Sequence, residues 1–328
     1  MFTDEPRRPR PSLRQSIRPF VRPLRGSAIL GAATVLALTA ACATKSEAKA
    51  PEPTPPIAAP ADKPVDKKPS GSASDSLEGL PGIDLTSLDD GQKHWLKEDL
   101  DKYPSPCGKS ESLYKSLKGD PKCKRALFAG RYFVMLLKAG LMQSEAEEHY
   151  EDRFVHPELA QCDITDVPVR GNPTATVSIC EFSDFQCPHC KLAEPILSRI
   201  LEEDRDHVKL YYKNYPISKL HPDSRNAAAA AVAAGKQGKF WQMHDLLFDH
   251  QDALSPSDLE KYAASLKLDV KKWKADLPSG GDRVDADHDQ GEKLEITGTP
   301  TIYINGRKYK GPMRYEDVKD WVDEEMSK

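Results

Sequence analysis

From Leu85 to Phe154 apolar residues recur at helical spacing. "DDGQKHWLKEDLDKY" opens on aspartates suited to an N-cap and carries Trp95, Leu96 and Leu100 on one side. "KCKRALFAGRYFVMLLKAG" has a broad apolar face that stops at Gly140, a residue that ends helices readily. A short acidic helix, "QSEAEEHYEDRF", follows. Together these predict a small all-helical region of about 70 residues, too small to bury more than a modest core, so it should dock on the next domain or be stapled.

From Ala160 the period changes. "TATVSICEFSDF" predicts a strand and then a turn, with Val177, Ile179 and Glu181 on one face. Cys162 falls in an expected first strand just before it, and Cys180 on the opposite face from Glu181. A helix is predicted from Pro188 to about Glu203, then a strong strand in "HVKLYYKNYP". Five helical pieces come next, with "DVKKWKADL" and "DRVDADHDQGEKL" as the last two. "GTPTIYINGRKYKG" reads as two short strands around an Asn305–Gly306 turn. A final amphipathic helix, Arg314 to Met326, should bury Tyr315, Val318 and Val322. Strands joined by helices argue for an α/β layer fold with some parallel pairing.

The N-terminal end is different. Met1 to Ala41 is Arg- and Pro-rich and ends in a 14-residue apolar run, Ala28 to Ala41. That run is short of the roughly 20 residues a spanning helix needs, and suits a signal-peptide core. It closes on "LTAAC", which resembles a lipobox that would lipidate Cys42; a plain secretory signal cleaved near Ala41 is the alternative. Residues 42–77, rich in Pro, Ala and Lys, should form a disordered tether spanning roughly 30 Å as a coil. The expected division is 1–41 signal, 42–77 tether, 78–157 helical region and 158–328 α/β domain. Either signal exports the chain to a compartment that permits disulfides. This predicts a location in the cell envelope, facing the periplasm, with a lipid anchor or as a soluble periplasmic protein.

Net charge is −4, and loss of a segment holding seven arginines and two acids would take it to −9. With no basic stripe of interleaved aromatics, nucleic acid is not an expected partner. Of the seven cysteines, lipidation of Cys42 would leave an even six. Cys107 and Cys123 bracket the second helix of the helical region, and a structural disulfide is the preferred reading over zinc, since no second Cys/His pair lies nearby.

The chemistry concentrates in "FSDFQCPHCKLAEP". Cys187 falls just before a helix, where unpaired backbone N–H groups and the dipole favour a thiolate. Pro188 suits the first helical position, and His189 could donate to the Cys187 sulfur or stabilise its charge. A Cys-x-x-Cys beside a β-α unit reads as a redox centre. Structural staple and zinc are the blander alternatives, and a zinc site would need more ligands than one such pair supplies.

The stretch resembles the active site of the DsbA-like thiol–disulfide oxidoreductases of the thioredoxin superfamily. Pro188–His189 is the dipeptide of DsbA itself, and Glu181 sits where that family keeps a buried acid that moves protons at the second cysteine, Cys190. Lys191 and Pro195 match a post-motif lysine and a helix-kinking proline. Thr299–Pro300 stands at the cis-proline loop that pairs with substrate backbone, and Lys213 resembles a lysine that partners the buried acid. The resemblance covers Val167 to Lys328 and implies a thioredoxin fold with a DsbA-type helical insertion. It also implies disulfide exchange with exported protein thiols and disulfides, no cofactor, no metal, and a membrane redox partner for recycling. Thr299 departs from the valine of DsbA, which puts the direction of electron flow in doubt; oxidase is favoured over reductase or isomerase. A thioredoxin-fold binding lipoprotein with an inert Cys187–Cys190 staple is the alternative from another class. Cys162 and Cys180 would lie on strands that are not neighbours in such a sheet, so their pairing stays open. Asp285, Asp287 and Asp289 lack the glycine and glutamate of a calcium loop and read as a solvated helix face. His221, His244 and His250 show no ligand spacing.

Overall fold

The computed structural model describes residues 77–328. The signal segment, Cys42 and the tether up to Ser76 lie outside the described residues. Leu77, placed at the tether's end on composition, is buried in the core.

Four helices come first: α1 (Asp90–Lys102), α2 (Leu113–Gly119), α3 (Lys124–Lys138) and α4 (Gln143–Tyr150), the last running into a π-helical turn at Glu151–Val155. α1 opens on a capping box in which the Gln92 amide donates to Asp89 Oδ1 and the Asp89 amide donates to Gln92 Oε1. Cys107 and Cys123 are joined by a disulfide across 5.9 Å between Cα atoms, closing α2 into a loop. α3 buries most of its circumference, from Ala126 to Leu137, because it lies between the other helices and the rest of the chain. Phe133, Leu137 and Tyr150 share one core cluster with Ile179 and Ile304 of the sheet and with Trp321 and Val322 of the last helix. The helical region thus finds in the sheet the apolar area it lacks alone.

The sheet has five strands, β1 (Val169–Gly171), β2 (Val177–Ser183), β3 (Val208–Asn214), β4 (Thr301–Ile304) and β5 (Arg307–Lys308), in the order β1-β3-β2-β4-β5. β2 and β3 are parallel, joined through α5 (Pro188–Glu203), and every other pairing is antiparallel. Asn305 and Gly306 both take positive φ at the β4–β5 turn, which is why an Asn-Gly pair sits there. On one face Val177, Ile179, Leu210 and Ile302 pack with Leu197 and Ile200 of α5 and with Val318 and Val322 of α10 (Tyr315–Met326). On the other face Cys180, Phe182 and Tyr303 meet Tyr215 and Ile296.

Two sequence expectations are corrected here. Cys162 is not in a strand: the first strand begins only at Val169, and Cys162 lies in the preceding coil. That coil bonds to β2, where Cys162 and Cys180 form a second disulfide with 6.6 Å between Cα atoms. The pairing was hidden because a loop can reach a strand that a neighbouring strand could not. The last two helical pieces of the insertion are in fact one helix.

The insertion consists of α6 (Ser224–Gly235), α7 (Phe240–Asp249), α8 (Pro256–Ser265) and α9 (Val270–Lys293). α9 runs through the exposed Pro278, whose ring faces solvent, while Gly280 two residues on is buried. The run of small residues Ala227 to Ala231 gives α6 a face that α9 can approach closely. A Cβ on Gly280 would stand 2.6 Å from the backbone oxygen of Ala229, and neither backbone can yield cheaply. Gly280→Ala should therefore lower unfolding stability in urea by about 1–3 kcal/mol, as overpacking does. Gly119→Ala, at the open end of α2 where nothing lies within 4 Å, should be neutral or slightly stabilising by the same assay.

Candidate active site

The chain leaves the sheet after Ser183 and enters α5 at Pro188. The turn between is organised by Asp184. Its buried carboxylate accepts the Gln186 amide at 2.8 Å and the Ile217 amide at 2.8 Å, and bonds His221 Nδ1 at 2.8 Å. Its carbonyl accepts the Cys187 amide at 3.0 Å. The Gln186 side chain accepts the Asp223 amide at 2.6 Å. From the insertion, Gln251 Nε2 donates to the carbonyls of Phe185 and Cys187, both at 2.9 Å. The turn is thus tied to the β3–α6 loop on one side and the α7–α8 loop on the other.

Cys187 occupies the N-cap of α5 and Pro188 the first helical position. Both cysteines are free thiols. Cys187, expected as an exposed nucleophile, is only 5 % exposed, because the insertion packs against it. Cys190 is fully buried. Cys187 Sγ donates to the carbonyl of Thr299 at 3.4 Å across the cis Thr299–Pro300 peptide, and the Asp184 amide donates to Cys190 Sγ at 3.5 Å.

This arrangement splits the two thiols. Cys187 is lowered to about 5, chiefly by a bond from the Cys190 thiol and then by Thr299 and the backbone amides of Cys190 and His189. Cys190 is pushed up, first by burial and then by the proton it shares with Cys187 and by the nearby Glu181 carboxylate. Glu181, buried on β2, is raised to about 7 by desolvation. It titrates where it can either hold or accept a proton at neutral pH. Ser183 and Tyr212, both buried, lie within electrostatic or bonding reach of Glu181 and Cys190. His189 acts on the sulfur through its backbone N–H, and its side chain is exposed.

Two sequence readings change. Lys213 pairs not with Glu181 but with Asp287, at 2.7 Å. Asp287 is therefore no solvated helix residue: it is 1 % exposed and also accepts the Asn214 amide at 3.2 Å and Asn214 Nδ2 at 3.0 Å. β3 presents Lys213 to the face opposite Tyr212, and Asp287 comes down on it from α9, where Arg283 also donates to the same carboxylate at 3.1 Å. Asp285 pairs at the surface with Arg225, and Asp289 is exposed. His221 and Gln251 reach the motif from loops with no sequence pattern that marks them, and Asp184, inside the motif, is signalled only by the Asp184-x-Gln186 spacing of an Asx-type turn. Among the described residues no cluster of three or more His, Cys, Asp or Glu could hold a metal ion.

A buried dithiol at a helix N-terminus, beside a cis-proline at the start of β4 in a mixed sheet, defines a thioredoxin-fold redox protein. A thioredoxin family profile matches residues 164–324. The probable disulfide bond formation protein D of Bacillus cereus is 33 % identical over 175 residues, covering 48 % of this chain and 78 % of that protein. The chain belongs to the DsbA-like thiol–disulfide oxidoreductases of the thioredoxin superfamily. The Na(+)/H(+) antiporter NhaA 3 of Salinispora tropica is 41 % identical over 150 residues, but the chain spans only 23 % of that protein's length and 45 % of its own. The oxidised BdbD structure from Bacillus subtilis is 30 % identical, covers 52 % of this chain and 98 % of that one, and superposes with a TM-score of 0.48.

Cys187 reacts as its thiolate, so alkylation of the reduced protein should fall off only as pH drops through about 5, against about 8.5 for a free thiol. A wild-type midpoint above about 7, thioredoxin's value, would contradict the electrostatics described.

Proposed function

We propose that the protein is an exported disulfide oxidase, working through Cys187 and Cys190. A substrate thiolate attacks Cys187 Sγ in the Cys187–Cys190 disulfide, forming a mixed disulfide and releasing Cys190 as a thiolate. Glu181, protonated below about 7, is placed by charge coupling to give that sulfur its proton. A second substrate thiolate then attacks the substrate sulfur, which leaves with a new disulfide while Cys187 departs as a thiolate. Two electrons pass from substrate to enzyme, and a membrane redox partner would take them on. The exchange needs no cofactor. Thr299 and Pro300 would hold the substrate backbone beside Cys187. Substrates would be exported proteins with free thiols, and Cys42 would carry the lipid that tethers the domain to a membrane facing the periplasm. No helix among the described residues is long and apolar enough to cross a membrane.

The single observation that carries the direction is the depressed Cys187 thiol. A thiolate held to about 5 stabilises the dithiol state, so the disulfide is the stronger oxidant. Thr299 supports a second reading, a reductase or isomerase, because it replaces the valine of DsbA.

The potential of the Cys187–Cys190 couple, measured by equilibration with glutathione, decides between them. A value near −120 mV is expected, and one near about −270 mV would sink the oxidase reading. In Glu181→Gln, the steps at Cys190 should slow by about 100-fold in stopped flow. The ordinary rise in Cys190 attack as pH passes up through about 7, where Glu181 becomes a base, should disappear with it.

A further inference from the structure

His221 takes no step in the disulfide exchange, yet its ring is fixed against the turn that carries Cys187. Nδ1 lies 2.8 Å from Asp184 Oδ2, and the same oxygen accepts the Ile217 amide at 2.8 Å. An ionised carboxylate only accepts, so the proton in the ring bond sits on Nδ1. Asp184 is 1 % exposed and the His221 side chain 17 %, so the ring stands between a buried carboxylate and solvent.

The backbone of His221 is pinned on both sides. Its amide donates to the Ile217 carbonyl at 3.0 Å, closing a turn whose two ends both bond Asp184 Oδ2. Its carbonyl accepts the Ser224 hydroxyl at 2.8 Å, and Ser224 is buried at the start of α6. Two residues beyond His221, the Asp223 amide donates to Gln186 Oε1 at 2.6 Å. Asp184 passes this rigidity on. Its carbonyl accepts the Cys187 amide at 3.0 Å and its amide donates to Cys190 Sγ at 3.5 Å. One residue thus meets His221 with its side chain and both cysteines with its main chain.

We infer that His221 is a positioning residue for the dithiol: by holding the Asp184 carboxylate it fixes the turn in which the first amides of α5 meet Cys187 Sγ, and so helps set the potential of the Cys187–Cys190 couple. The inference rests on the dithiol being the redox centre, and it gives His221 no contact with substrate. Without the ring, the carboxylate keeps the amides of Gln186 and Ile217 but is short of a donor, which a buried charge tolerates poorly. The turn then relaxes, the Cys187 thiolate loses part of its amide field, and the disulfide becomes a weaker oxidant.

The test compares the full chain with His221→Phe and His221→Asn. Phenylalanine keeps a ring and removes the donor. Asparagine carries Nδ2 as many bonds from the backbone as Nδ1, so it can still donate to Asp184. Two quantities are measured: the pH midpoint of Cys187 alkylation in the reduced protein, and the equilibrium constant of the couple against glutathione at pH 7. His221→Phe should raise the midpoint by about one pH unit. It should shift the constant about tenfold toward the disulfide, a potential about 30 mV more negative. The two shifts should match, because both read the same loss from the thiolate. His221→Asn should bring both back near wild type. His221→Ser, too short to reach the carboxylate, serves where the phenylalanine variant does not fold. Lys261→Gln, exposed on α8, should move neither. A purely structural role would lower urea stability and leave midpoint and potential in place. That result in a folded Phe or Ser variant would overturn the inference, as would an Asn variant shifted as far as the Phe one. The wild-type potential is judged separately: a value in thioredoxin's range sinks the oxidase reading, while the difference between wild type and variant still decides the role of His221.

Discussion

The chemistry of the molecule hangs on one buried carboxylate. Among the described residues Asp184 pairs with no lysine or arginine; it is satisfied by two backbone amides and the ring of His221. Those bonds join the end of β2 to the loop after β3, and so set where α5 begins. Shift that start by one residue and Cys187 no longer stands at the helix N-cap, where the amides of His189 and Cys190 converge on its sulfur. A carboxylate costs several kcal/mol to bury bare, and here its hydrogen bonds offset that cost by organising the turn.

The turn then makes the two thiols unequal. Three residues apart, they would titrate alike in an unfolded chain. The fold converges donors on Cys187, while at Cys190 burial and a neighbouring acid outweigh the Asp184 amide and Ser183. Proton and charge are thereby assigned to different sulfurs before any substrate arrives. Glu181 extends the assignment inward, since the same dry interior that raises Cys190 lifts the acid into the neutral range.

What could be read from the sequence followed local period and local chemistry. The β2-turn-α5 unit, the Asn305–Gly306 hairpin and the amphipathic last helix each announce themselves within about a dozen residues. The pairing partners did not. Cys162 was misplaced because a coil crossing a sheet face leaves no periodic trace. Lys213 was given the wrong acid because its partner Asp287 lies 74 positions on, in a helix whose acidic run reads as solvated. The last two insertion pieces read as separate, but they are one helix: a proline on the outer side of a long helix costs one hydrogen bond, and the packing of Gly280 outweighs it. Gln251 reaches the Cys187 carbonyl from a loop between two insertion helices, and nothing in its neighbourhood of sequence marks it.

The two rims of the sheet differ in kind yet have the same effect. β1 is three residues long and closes one side; β5 is two residues long, and beyond it Leu159 forms a single bridge to Arg307 under the helical region. Neither rim offers a run of free amides and carbonyls long enough to template another strand. Copies of the domain brought close together would meet side by side without joining sheets, so crowding would not by itself convert this fold into an aggregate.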